Sequence, residues 1–208
     1  MPAGKSAALE PGVIAAANRI ARFFDANGLA YTMVGGVAVS GISRPRATRD
    51  VDVLVMLEDG VIERLLAADE FMPRIADAAR FALNAKVLLL ADKLSGVDLD
   101  ILLGVLPFER EMIRRARPLT FGGITAHFPR VQDLLAMKLI ASRNRDLADA
   151  EELSHSGEPW NMQQVLSIVQ DFSDVLENPE LMVTAKKLLD KAMKKPLIGK
   201  RPSRTTKK

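Results

Sequence analysis

The chain has 208 residues, which is room for one sizeable domain or for one domain with a small helical extension. Apolar residues make up 48% and charged residues 26%, a balance that permits a real hydrophobic core. The absence of cysteine excludes disulfides, thiolate nucleophiles and cysteine-ligated zinc, and no apolar run reaches membrane-spanning length. We therefore expect a cytoplasmic protein without membrane contact.

The first elements are a helix and a short strand. Residues 1–10 are small and polar, and we expect them to be disordered. A helix is predicted to begin at Pro11 and to end at Asn27-Gly28, because proline favours the first helical turn and glycine favours the position after the last one. The apolar run Tyr31–Val34 predicts the first strand.

A glycine pair and a basic loop follow that strand. Gly35 and Gly36 form either an ordinary strand-to-helix turn or a backbone bare enough for phosphate oxygens to approach. A short helix and a loop lead to Arg46, Thr48 and Arg49. The arginines either neutralise the acids that come next or bind phosphate, and Thr48 can add a hydroxyl to the same site.

Asp50 and Asp52 belong to the second predicted strand, whose apolar run extends from Val51 to Leu57. Side chains two residues apart on a strand point to the same face, so both carboxylates share one surface. Two adjacent carboxylates repel each other, and a divalent cation between them removes that cost. Our functional interpretation of the sequence rests on this pair of carboxylates.

The next segment is predicted to be helix, then hairpin. Val61 to about Asn84 is interpreted mainly as helix, with a break near Met72-Pro73. Two apolar runs separated by a short turn, Val87–Ala91 and Val97–Leu103, predict an antiparallel pair of strands.

The second strand of this pair repeats the acidic pattern. Asp98 and Asp100 share a face, and the flanking Leu99 and Ile101 point to the other. An acid in so apolar a run needs a partner. We take Asp100 as the third carboxylate of the site and Asp98 as the alternative.

Helices dominate the rest of the chain. After a short helix from Pro107 and a hairpin that ends at Phe128, four further helices are predicted: Val131–Ser142, Asp146–Leu153, Trp160–Leu176 and Pro179–Lys194. Lys138 is either a surface lysine or a charge for a phosphate group. From Lys186 to Lys208 the chain has ten Lys or Arg residues and one acid, which predicts a solvated tail or a contact with a polyanion.

The predicted fold class is α+β, with a small mixed β-sheet core flanked by helices and a C-terminal helical appendage. The expected divisions are a disordered N-terminus at 1–10, the core at 11–130, the appendage at 131–195 and a basic disordered tail at 196–208. Three carboxylates on neighbouring strands can hold two divalent cations, and Mg²⁺ suits oxygen ligands and substrate phosphates.

Together these motifs resemble the nucleotidyltransferase superfamily of the DNA polymerase beta type: Gly35-Gly36, thirteen residues, Asp50-Val51-Asp52, and a later strand with Asp100. The resemblance narrows to AbiEii-like toxins and their minimal relatives through four segments, namely Arg46-Ala47-Thr48-Arg49-Asp50-Val51-Asp52, Pro107-Phe108-Glu109, Asp133-Leu134-Leu135-Ala136-Met137-Lys138 and Arg145-Asp146-Leu147-Ala148-Asp149. One departure is Gly36, where the family often has serine.

The resemblance implies a magnesium-dependent enzyme that moves a nucleoside monophosphate from a nucleoside triphosphate to a hydroxyl acceptor. Asp50, Asp52 and Asp100 would carry two Mg²⁺ ions and form the catalytic set with Lys138. The nucleotide would be held by a set that spans the glycine pair, the basic loop and the later helices: Gly35, Gly36, Arg46, Thr48, Arg49, Lys138, Asp146 and Asp149.

Three functions remain open. The first is transfer to RNA, typically the 3′ end of transfer RNA, by the toxin component of a toxin–antitoxin system, with an antitoxin as a partner. The second is transfer to a protein or to a small molecule such as an antibiotic. The third is a non-catalytic module that binds nucleotide or nucleic acid.

Overall fold

The computed structural model describes residues 9–194. The chain divides into two compact units, one ending at Arg130 and the other beginning at Val131. The predicted basic tail lies outside the described residues, and so does most of the predicted disordered N-terminus. No helix within residues 9–194 combines the length and the apolar character that crossing a membrane requires.

The first unit contains a five-stranded sheet, a two-stranded sheet and five helices within its described part. Its elements, in chain order, are α1 (Pro11–Ala26), β1 (Tyr31–Met33), α2 (Gly35–Ile42), β2 (Asp50–Met56), α3 (Val61–Ala67), β3 (Phe71–Pro73), α4 (Ala78–Ala85), β4 (Val87–Asp92), β5 (Asp98–Gly104), α5 (Pro107–Arg114), β6 (Arg117–Phe121) and β7 (Ile124–Phe128).

The large sheet is mixed, with strand order β1-β2-β5-β4-β3. β2 and β5 are parallel, and the other neighbours are antiparallel. The smaller sheet is the β6–β7 hairpin. The prediction of an α+β fold with a small mixed sheet is therefore confirmed, as are both predicted hairpins.

Alternation along the strands separates a buried face from a half-exposed one. On β2 the side chains of Val51, Val53 and Val55 are fully buried, while Asp50 and Asp52 are partly exposed. β5 follows the same rule, with buried Leu99, Ile101 and Leu103. Burying each such side chain stabilises the fold by about 1.5–3 kcal/mol. The apolar face therefore fixes the orientation of the acids on the opposite face.

Helix α1 packs its apolar stripe, which includes Ile20 and Phe24, into the core. Its polar side is tied to the β6–β7 turn through one side chain. The amide of Asn18 donates to Gly123 O at 2.7 Å, and its Oδ1 accepts from Thr125 N at 3.0 Å. The helix is thus held against the small sheet by both packing and hydrogen bonds.

The prediction of a mainly helical segment from Val61 to Asn84 is wrong at its break, where the chain forms strand β3. Phe71 is buried, and β3 pairs antiparallel with β4 at the edge of the sheet. Pro73 suits this position because an edge strand has one side on which no amide donor is needed. The chain continues in register, since Arg74 N donates to Leu89 O at 3.1 Å.

The second unit is helical, as far as it is described. Lys191 of the last helix forms a 3.0 Å ion pair with Glu151 of the second. Asn161 begins the third helix by accepting a hydrogen bond from Gln164 N at 3.0 Å, the usual role of an asparagine N-cap. The helices are α6 (Val131–Ala141), α7 (Asn144–Ser154), α8 (Met162–Val175) and α9 (Glu180–Lys194).

A buried ion pair at the end of β4 yields a stability prediction. Asp92 is fully buried and accepts from Arg19 Nε at 2.5 Å and from Ser95 N at 2.9 Å. Burial raises the pKa of Asp92, but the hydrogen bonds from Arg19 and Ser95 outweigh burial and hold the pKa below its ordinary value. We expect Asp92→Asn to lower the free energy of unfolding by about 2–4 kcal/mol at pH 7, because Arg19 loses its charged partner.

The pH dependence of this loss is also fixed. The folded-state pKa of Asp92 is depressed, so its stabilisation is present above the unfolded-state pKa, about 4, and is lost as the pH falls through the folded-state value. In urea titrations, the difference between wild type and Asp92→Asn should therefore shrink below about pH 4. Glu111→Gln, which alters the exposed pair with Arg114, is the control and should not change the unfolding midpoint. A pH-independent difference would contradict the assignment.

Candidate active site

The four acids of the two Asp-x-Asp patterns lie on one face of the large sheet. In the parallel pairing of β2 with β5, Asp50 is the register partner of Asp98, and Asp52 is the partner of Asp100. Register partners on adjacent strands point to the same face. We call this surface, defined by Asp50, Asp52, Asp98 and Asp100, the carboxylate face.

The pKa of Asp100 is raised, chiefly by burial and further by neighbouring acids. Burial raises the pKa of Asp100, and the charges of Asp50 and Asp98 raise it further, so that the nearby Arg74 only partly offsets them. A raised pKa means that the ionised form of Asp100 lacks sufficient compensation in the protein alone. The carboxylate face is thus predisposed to attract a cation.

Gly35 lies directly against this face. Its φ is +56°, in the left-handed region, and a Cβ at this position would lie 1.8 Å from Asp52 Oδ2. Helix α2 begins at Gly35 itself. The first turn of that helix and the Asp52 carboxylate therefore meet where only glycine fits.

Gly36 and Thr48 are in contact beside Asp50. Thr48 is buried, and its hydroxyl donates a 2.6 Å hydrogen bond to Asp50 Oδ1. A Cβ at position 36 would lie 2.4 Å from Thr48 Oγ1. The space that a side chain at position 36 would need is thus filled by the Thr48 hydroxyl. The serine often found at position 36 in the resembling family would clash with it.

The basic loop places one arginine close to the glycines. Ser40 of α2 accepts a hydrogen bond from Arg46 N at 3.2 Å, which holds the loop against the helix. One guanidinium nitrogen of Arg46 lies 3.2 Å from the ideal Cβ position of Gly36. Arg49, immediately before Asp50, is exposed. These positions are compatible with contact to an anionic ligand.

Arg74 is the residue of this face that sequence reasoning missed. Its guanidinium donates from Nη1 to Asp98 Oδ2 at 2.6 Å and from Nη2 to Asp100 Oδ1. The segment was predicted to be helix, and no pattern near Arg74 indicates a partner on β5. The one signal was Pro73, which argues against an uninterrupted helix.

In the second unit, Lys138 is buried between two acids. Its Nζ lies 2.9 Å from Asp146 Oδ1 and 3.1 Å from Asp149 Oδ2, and Arg143 Nε is 2.6 Å from Asp146 Oδ2. Burial raises the pKa of Asp146, but the bonds from Arg143 and Lys138 prevail and lower it. The cluster ties α6 to α7. The triphosphate contact expected for Lys138 stays a prediction, as do the roles expected for Asp146 and Asp149.

The donor set of the carboxylate face suits Mg²⁺. Asp50, Asp52 and Asp100 offer hard carboxylate oxygens, the ligands that this ion prefers. Within residues 9–194, no three acidic or histidine side chains are grouped so as to ligate one ion. Arg74 bonds Asp100 Oδ1 in this arrangement, so a metal that used this oxygen would have to displace it.

Comparisons with known proteins bear on the fold. No protein-family model matches the chain, and no curated protein matches it. An antigenic nucleotidyltransferase-like protein from Paracoccidioides brasiliensis aligns with a TM-score of 0.51 at 16% identity, over 86% of this chain and 95% of that one. The antibiotic-resistance factor ANT(2'')-Ia aligns with a TM-score of 0.51 at 11% identity, over 80% of this chain and 94% of that one. The chain therefore has a nucleotidyltransferase-like fold.

The contact between Gly35 and Asp52 can be tested by comparing two glycines. Gly28 also has positive φ, +64°, but a Cβ there would meet nothing within 4 Å. We expect Gly28→Ala to lower the free energy of unfolding by about 1 kcal/mol, from backbone strain alone. Gly35→Ala should lower it by about 3 kcal/mol, because Asp52 must also move. If urea titrations gave equal losses of unfolding free energy for the two variants, the Asp52 side chain would be able to move at no energetic cost.

The Thr48 hydroxyl is expected to orient Asp50 for a cation. We predict that Thr48→Val weakens Mn²⁺ binding about tenfold in calorimetry, as is usual when a partner of a metal ligand is lost. Thr48→Ser should stay close to wild type. Thr125→Val removes a hydroxyl from the exposed Thr120–Thr125 pair on the small sheet and serves as the control. Unchanged Mn²⁺ affinity in Thr48→Val would contradict this role.

Proposed function

We propose that the protein is a magnesium-dependent nucleotidyltransferase. The observation that carries this proposal is the parallel register of β2 and β5, which sets Asp50 and Asp52 beside Asp98 and Asp100 on one partly exposed face. The start of α2 lies against that face at Gly35. The nucleotidyltransferase-like fold of the two solved structures supports the same conclusion.

Asp50, Asp52 and Asp100 would hold the metal, as two Mg²⁺ ions. When bound, such ions neutralise the phosphate charge and bring the attacking and leaving oxygens of the phosphoryl transfer together. Asp50 keeps its orientation through the Thr48 hydroxyl at 2.6 Å. The carboxylate oxygens therefore suit the ion chemically, and a site shared by Asp50, Asp52 and Asp100 would require their side chains to turn toward it.

The chain's own groups would position the nucleotide. The backbone N–H groups of the first turn of α2, at Gly35 and Gly36, would bind a phosphate. Arg46 lies next to Gly36 and can pair with phosphate oxygens, and Arg49 is exposed beside Asp50. Lys138 remains a predicted contact of the triphosphate. Catalysis would then be mostly positioning and charge neutralisation.

The acceptor we favour is RNA, at the 3′ end of transfer RNA, with the protein acting in the cytoplasm as the toxin of a toxin–antitoxin system. Support comes from the four segments that resemble AbiEii-like toxins, among them the run from Arg46 to Asp52 and the run from Arg145 to Asp149. An antitoxin would be the expected protein partner.

A small-molecule acceptor is the second candidate. Its support is the structural similarity to ANT(2'')-Ia, which is an antibiotic-resistance factor. The similarity spans 80% of this chain at 11% identity, so it bears on the fold and leaves the acceptor to experiment.

The experiment that separates these acceptors is a labelling assay. The protein is incubated with Mg²⁺ and each α-³²P nucleoside triphosphate, together with total RNA, a cell lysate, or a panel of antibiotics that carry hydroxyl groups. Label in RNA supports the favoured acceptor, and label in an antibiotic supports the second candidate. No transfer to any acceptor, with no Mg²⁺-dependent nucleotide binding in calorimetry, would contradict the enzymatic proposal.

Asp50→Asn tests the site itself. The substitution removes a charge needed for metal binding and retains an oxygen that can accept from Thr48, so we expect transfer to fall about 100-fold or more while the melting temperature stays near wild type. Removing a negative charge also relieves Asp100. Asp59→Asn, in the exposed turn before α3, is the control and should transfer at the native rate. Native transfer by Asp50→Asn would refute the assignment.

A further inference from the structure

We propose that Arg74 is a built-in counter-cation of the carboxylate face, which competes with the divalent cation for Asp100 and is retained by Asp98 when the cation binds. The inference rests on the proposed function, because it assigns a role to a residue beside the same metal site. It also assigns Asp98 a role, which is to hold Arg74 when the cation binds.

Arg74 reaches the face from the edge of the sheet opposite β1. It follows β3 directly, and its backbone N–H is fixed to Leu89 O at 3.1 Å. Leu89 is the register partner of Asp100, and Asp100 is the partner of Asp52. Asp52, Asp100, Leu89 and Arg74 therefore form one row across four strands, which aims Arg74 at the site.

The guanidinium forms one hydrogen bond to each of two acids instead of two hydrogen bonds to one acid. Nη1 bonds Asp98 and Nη2 bonds Asp100, while Arg74 Nε is buried and donates no hydrogen bond to any described residue. The head group is thus held by those two bonds. The Asp98 side chain is 50% exposed and that of Asp100 is 35% exposed, so Asp98 is the acid nearer to solvent.

The charges favour exchange over permanent pairing. Arg74 bonds two of the four acids of the carboxylate face, and arginine keeps its charge at all ordinary pH values. A divalent cation brings more charge to the same oxygen, Asp100 Oδ1, and it cannot take that oxygen in a near-ideal octahedral arrangement while the guanidinium is bonded there. The cation and Arg74 therefore exclude each other at Asp100 Oδ1, the oxygen that Arg74 bonds, while Asp98 keeps its own bond to the arginine.

The test is Mn²⁺ affinity, measured by calorimetry without nucleotide or acceptor. We expect Arg74→Met to bind Mn²⁺ about tenfold more tightly than wild type, because the competing charge is gone. Arg74→Lys, which keeps the charge and loses the fork, should lie between the two. Arg114→Met is the control, since it removes an equal charge from an exposed pair within one helix, and should match wild type.

A double-mutant cycle tests the part of Asp98. Loss of the Asp98 charge alone would weaken Mn²⁺ binding equally with and without Arg74. If Asp98 retains the arginine, Asp98→Asn should weaken binding several-fold more in wild type than in the Arg74→Met background. Circular dichroism and urea titration of each variant confirm that it is folded.

The outcomes separate this inference from the proposed function. Equal Mn²⁺ affinity of wild type and Arg74→Met, with binding abolished by Asp50→Asn, would contradict the counter-cation role of Arg74. The proposed metal site would be unaffected by that result. Binding that survives Asp50→Asn would count against the site. No Mn²⁺ binding by wild type or by Arg74→Met would overturn both. Tighter binding in folded Arg74→Met, with an unchanged Arg114→Met control, supports the counter-cation.

Discussion

The parallel pairing of β2 with β5 is the constraint on which the rest of the candidate site depends. Asp50 and Asp52 meet Asp98 and Asp100 only because the two strands run in the same direction and in this register. A slip of one residue would turn the β5 acids into the core. The buried partners Val51 and Leu99 oppose such a slip, so core packing sets the geometry of the carboxylates.

That geometry has an electrostatic cost, which local devices reduce. Partial exposure lets water screen the acids, Arg74 bonds two of them, and the Thr48 hydroxyl bonds a third. At Gly35 the start of a helix stands against Asp52, where its partial positive charge favours a carboxylate. The pKa of Asp100 stays raised in spite of these contacts, chiefly because the carboxylate is partly buried and further because Asp50 and Asp98 are close.

The fold class, the strands β2, β4 and β5 and both hairpins could be predicted because alternation and turn residues are local signals. Strand β3 could not, since three residues around Pro73 carry no alternation and adjoin helical patterns on both sides. Arg74 was missed with it. The fit of Thr48 against Gly36 could not be predicted either, because it depends on how the eleven residues between them fold back. The partners of Lys138 lie beyond a helix break for the same reason.

The bond between Arg74 and Asp100 of β5 has a consequence for how the proposed substrate would bind. Coupling between two ligands is reciprocal, so whatever draws Arg74 away from Asp100 strengthens cation binding there, and a bound cation loosens Arg74 by the same factor. A nucleoside triphosphate that arrives with its cation brings a positive charge for Asp100. It also brings phosphate oxygens with which Arg74 can form hydrogen bonds. Cation and nucleotide should then bind with positive cooperativity that depends on Arg74, and a free metal ion should bind more weakly than the same ion with nucleotide.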